Sequence, residues 1–121
     1  MRLGLLISVL LFAATPALAQ GGCVEPLAPL PVDGAAATAD QLRAANAEAR
    51  NFISQSSVYQ ACLTSEVEAA KMQAQSEGRP FDSAIETDAK TRIAASEKAQ
   101  ERVGVAIDAA VTNYKLAHAA N

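Results

Sequence analysis

The chain has 121 residues, half of them hydrophobic but only 4% aromatic, with no Trp and a formal net charge of -3. That length holds one domain, and an acidic balance without a basic cluster excludes nucleic acid and anionic lipid, which take clustered Lys and Arg to displace counterions. A core rich in alanine is thin, so a chain of this size needs a covalent staple or a partner to fold stably.

Residues 1–19 read as a cleaved signal peptide. Arg2 is followed by an apolar run from Leu3 to Ala14, then Pro16 and the small-x-small triplet Ala17-Leu18-Ala19, which places the cut between Ala19 and Gln20. A spanning helix needs about 20 apolar residues, and Pro16 and Gln20 interrupt the run. No stable membrane span is expected after cleavage, and the location is periplasmic or secreted. Lipid attachment at Cys23 would call for an aliphatic residue three positions earlier, where Gln20 stands.

Residues 20–37 form the next segment, in which Pro26, Pro29 and Pro31 precede Asp33-Gly34. Three prolines so close exclude helix and predict an extended, polyproline-type strap. Thr38-Ala39-Asp40-Gln41 then matches a capping box and starts a helix. Leu42, Ala45, Ala49, Phe52, Ser56, Tyr59 and Leu63 recur in steps of three and four, the seam of a helix packed on another helix. Gly78-Arg79-Pro80 is a stop signal. Asp82 or Ser83 restarts the helix, and Ser83-Ala84-Ile85-Glu86 reads as a second capping box. The second helix is supported by Glu86 with Lys90 and Asp88 with Arg92, acid-first pairs four apart. Residues 38–121 are therefore all-α: an antiparallel, coiled-coil-like two-helix hairpin with helices over about 38–77 and 82–119.

Centring the turn between Arg79 and Pro80 predicts the facing pairs. Leu42 meets Ala117, Ala49 meets Ala110, Phe52 meets Ile107, Ser56 meets Val103, Leu63 meets Ser96 and Ala74 meets Ile85. Large mostly faces small, as a close-packed seam requires. Glu66 would fall opposite Ile93, so Val67 is expected to take its place where the pattern slips.

Cys23 and Cys62 are the only cysteines, and in an oxidising compartment they have one possible intramolecular pairing. The helix from Thr38 to Cys62 rises roughly 36 Å, while the strap reaches about 46 Å in polyproline form. It is long enough to run back antiparallel along the first helix and lock at Cys62, with Val58 expected to offer apolar surface to its prolines and leucines. Closing such a loop contributes about 4 kcal/mol by loss of unfolded-chain entropy.

The series Cys23-x-x-Pro26-x-x-Pro29, Pro31-Val32-Asp33-Gly34, Ala37-Thr38 and Tyr59-Gln60-Ala61-Cys62-Leu63 resembles a group of small exported proteobacterial proteins. Those carry a Cys/Pro strap, a Pro-Asp-Gly-like turn and a Tyr-x-x-Cys on a long helix; here Val32 splits the Pro-Asp-Gly. The likeness covers about the first half of the mature chain and implies a fold and a compartment, with no activity attached.

No catalytic residue, cofactor or metal ligand is expected. The single histidine, His118, sits near the end of the chain, where it complements a helix C-terminus. No phosphate loop, nucleophile elbow or His-x-x-x-His occurs. Glu66 and Glu68, two apart on a helix, point to different faces and read as a solvated flank. His118, Met72 and Met1 do not converge, and two distant thiols without a histidine make a poor metal site. Tyr59 and Tyr114 fall on the seam and read as core. Val58, Val105 and Val111 are expected to form an exposed second stripe that marks a partner surface or self-association. The reading is a non-enzymatic structural or interaction protein of the cell envelope, acting on an unknown protein partner or on itself; the alternative is a periplasmic chaperone-like, ligand-binding or metal-binding protein.

Overall fold

The computed structural model describes residues 22–119. The signal segment and its cleavage point lie outside them. Two helices, α1 (Ala39–Ser76) and α2 (Ser83–His118), pack antiparallel against each other as the sequence predicts, and no strand occurs among the described residues.

Each helix end has a local cause. Thr38 Oγ1 accepts from the Gln41 amide at 3.2 Å while Gln41 Oε1 accepts from the Thr38 amide at 2.8 Å, so two donors left over at the start of α1 are satisfied reciprocally. At the other end Gly78 takes φ 65°, the left-handed conformation. The amide of Arg79 donates to the Ala74 carbonyl at 3.0 Å and that of Gly78 to the Gln75 carbonyl at 3.2 Å, the paired bonds of a Schellman motif. The expected capping box at Ser83 is not formed. Asp82 caps α2 instead, its carboxylate accepting from the Ala84 amide at 2.9 Å. A carboxylate at that position meets both the free amide and the positive end of the helix dipole, which a serine hydroxyl does less well.

The seam is legible in the burial. Ala49, Phe52, Ser56, Tyr59 and Leu63 are buried on α1, and Val67 replaces Glu66 at the slip. On α2 the buried residues Ala89, Ser96, Val103 and Ala110 repeat every seven residues, the period that keeps one stripe facing a partner helix. Leu42 and Ala45 are only half-buried. Two core clusters result: Tyr59, Leu63, Val67 and Ala89 toward the turn, with Cys23, Phe81 and Ile93 against them, and Ala49, Phe52 and Val103 toward the open end, with Ala99 and Ile107.

The register differs from the expected one by roughly a helical turn. Gln60 Nε2 donates to Ser96 Oγ and to Gln100 Oε1, each at 3.0 Å, and Gln100 Nε2 donates to the Ile53 carbonyl at 2.9 Å. Arg92 Nε donates to the Tyr59 hydroxyl at 3.0 Å, and Lys71 Nζ lies 3.4 Å from Glu86. Most of these partners come earlier in α2 than a symmetric fold-back places them. The cause is the linker: residues 79–82 are not helical, and extended residues advance about 3.3 Å each against 1.5 Å in a helix. The chain has already run back along α1 when α2 starts, so Phe81 packs on the Tyr59 cluster.

Candidate functional site

Residues 22–37 cross the face of the hairpin without helix or strand. One end is tied by the Cys23–Cys62 disulfide, with Cα atoms 5.7 Å apart. Beside it the Cys23 amide donates to Glu66 Oε1 at 3.2 Å. The other end turns at Asp33, whose side chain accepts from the Ala35 amide at 3.0 Å and whose carbonyl accepts from the Ala37 amide at 2.9 Å. Gly34 is buried against α2, where a Cβ would stand 1.8 Å from the Ala110 carbonyl oxygen. Only glycine fits so close an approach.

Between these ends the segment has a three-residue rhythm. Cys23, Pro26, Pro29 and Val32 are half-buried toward the hairpin. Val24, Leu27 and Leu30 stand 83%, 93% and 90% exposed. Three residues per turn is the repeat of a polyproline helix, which puts every third side chain on one edge. The segment lies in the groove between both helices, against Ala45 and Ala49 of α1 and Ala99, Val103 and Ala106 of α2. This corrects the expectation that Val58 supports it: Val58 is exposed. The groove offers apolar walls on two sides, where a single helix face offers one. Nor do the three valines make an exposed stripe, since Val111 is half-buried while Val58 and Val105 are exposed.

Glu66 is likewise not a free flank, because it anchors the strap; its spacing four residues after Cys62 puts both on one side of α1. The two cysteine sulfurs and a Glu66 oxygen lie within 4.8 Å of one another. With the sulfurs bonded to each other neither is a thiolate, and a thiolate is what a soft metal takes from cysteine. The same bond commits the Cys23 sulfur that a lipid would use. His118 stacks on Tyr114 with ring centroids 4.1 Å apart and sits 2.8 Å through Nδ1 from the Tyr114 carbonyl. Tyr114 is only half-buried, unlike Tyr59, which is core.

Charge on the hairpin is concentrated near the turn. Glu86 pairs with Lys90 at 2.9 Å and with Lys71 at 3.4 Å. Its carboxyl is held below the ordinary range by the bond from Lys90 and then by that from Lys71. Lys71 is raised in turn, chiefly by Glu86, and its ammonium lies 5.6 Å from the Phe81 ring centre. No helix among the described residues is long and apolar enough to cross a membrane. Comparison of the chain with protein-family models, with curated proteins and with solved structures finds no match.

Proposed function

We propose that the protein is an exported, non-enzymatic interaction module of the cell envelope that presents its strap to a protein partner. The observation that carries this is the ridge of Val24, Leu27 and Leu30, three large aliphatic side chains held in solvent on one edge of a segment fastened at both ends. A contiguous exposed apolar patch marks an interaction site. A strap already fixed in a polyproline rhythm loses little entropy on docking, which is how proline-rich segments bind apolar grooves. Export is supported by the N-terminal pattern of residues 1–19, by the disulfide, and by the resemblance of residues 23–63 to small exported proteins.

A photo-reactive residue at position 27, expressed in the source cells, tests the reading. The expected result is one discrete adduct in the envelope fraction, lost in Leu30→Asp and absent when the same group stands at position 58. Equal labelling from positions 27 and 58, or protein retained in the cytoplasm with residues 1–19 attached, overturns it.

A further inference from the structure

The inner side of the strap does not fill the groove that it covers. An apolar cleft of about 250 Å³ remains between Ala28, Pro29 and Val32 on one side and Ala49, Ala99 and Val103 on the other. Arg102 is the one charged side chain lining it, and Arg102 makes no ion pair among the described residues. A second cleft of about 350 Å³ adjoins it and shares Ala28, Ala99 and Arg102. Ser56 lies in the wall of that second cleft, fully buried, and its hydroxyl has no hydrogen-bond partner among the described residues. Buried hydroxyls are nearly always paired, so this orphan marks incomplete packing beside the second cleft.

We infer that this seam binds a small aliphatic carboxylate, its chain along the alanine walls and its head group at Arg102 where the clefts meet. The volume sets the size. The first cleft, about 250 Å³, is smaller than ordinary drug-sized sites, which suits a short chain such as octanoate. The charge sets the head. Glu25 lines only the second cleft, so the first presents one cation and otherwise apolar walls, complementary to an amphipathic anion. Strap residues 28–32 form one wall of the site. Leu30 belongs to both the cleft and the ridge, but this inference needs no partner for the ridge.

The test is titration of the purified oxidised protein with octanoate, with octanol as the uncharged control, followed by methyl NMR up to about 10 mM, a generous ceiling for so small a ligand. Saturable shifts are expected at Val32, Val103 and Ile107, and not at the exposed Val58 or Val105, which line neither cleft. Arg102→Gln, an exposed substitution that leaves the helices intact, is expected to weaken octanoate about five- to tenfold and leave octanol unchanged. Ala106→Leu, which fills the half-buried wall, is expected to block both. Equal binding of octanoate and octanol, an unchanged octanoate affinity in Arg102→Gln, or shifts that never saturate would each overturn the proposal.

Discussion

The two halves of the hairpin are built differently. Toward the turn, Tyr59, Leu63, Val67, Phe81 and Ile93 fill the space between the helices, and the disulfide, the Glu66 bond and the Lys71–Glu86–Lys90 charges surround them. Toward the open end, Ala45, Ala49, Ala99 and Ala106 leave a trough that Phe52, Val103 and Ile107 only partly fill. The strap crosses from the first region to the second. Large side chains pack the first half, although a cleft of about 330 Å³ remains there beside Leu63, Val67 and Ala89; small ones leave the clefts under the strap in the other. In the proposed reading, the staple and the binding cleft therefore sit at different levels of one pair of rods.

That division can be broken or sharpened by experiment. The largest effect is expected from removing the staple. Cys62→Ser, or reduction, should cost about 4 kcal/mol in thermal or urea unfolding, because the unfolded chain regains a loop of about 40 residues. Limited proteolysis should then cut the strap first, and a strap equally protected after reduction would show that packing alone holds it. Next comes the core contrast. Leu63→Ala in the closed half should cost about 3 kcal/mol, whereas Ile107→Ala, half-buried beside the cleft, should cost only about 1 kcal/mol; equal losses in chemical denaturation would erase the distinction between the halves. Gly34→Ala tests the far end of the strap. The added methyl meets the Ala110 backbone, which cannot yield as a side chain does, and about 1–2 kcal/mol of overpacking is expected. Hydrogen exchange should rise at Ala35–Ala37 and not at Cys23, since the disulfide still holds that end.

The smallest effect concerns pH. The Glu86 carboxyl is lowered from 4.5 by Lys90 first and Lys71 second. A depressed acid contributes stability that is present above its unfolded value and lost as pH falls through the folded one. Acid titration of the melting temperature should therefore decline below about pH 4.5, and Glu86→Gln should flatten that limb. Glu77, lowered by Arg79 and Gln73, acts in the same direction. Glu77 is exposed and Glu86 half-buried at the surface, so added salt should shrink the difference.

Much of the fold was legible from residues close in sequence. The Thr38–Gln41 box, the Gly78 stop, the three-four spacing through Phe52, Tyr59 and Leu63, and the slip to Val67 all stand as read. Of the site, the cysteine pair was legible, but the partner of Glu66 was not, although its four-residue spacing from Cys62 was there to be used. The apolar ridge of the strap was also readable as a period of three in Val24, Leu27 and Leu30, once the prolines are taken as setting the repeat.

The sequence by itself determined two capped helices of nearly equal length, their facing seams and the one possible disulfide, because caps, breakers and periodicity act within a few residues of chain. Only the tertiary structure decided the register, the groove in which the strap lies and the clefts left beneath it. A slide of one turn moves each seam residue to another seam position, and where both walls are alanine the two alignments look alike. The choice fell to contacts that no local pattern encodes: Phe81 folding back on Tyr59, Gln60 reaching Ser96 and Gln100, and Gly34 seated on the backbone of Ala110.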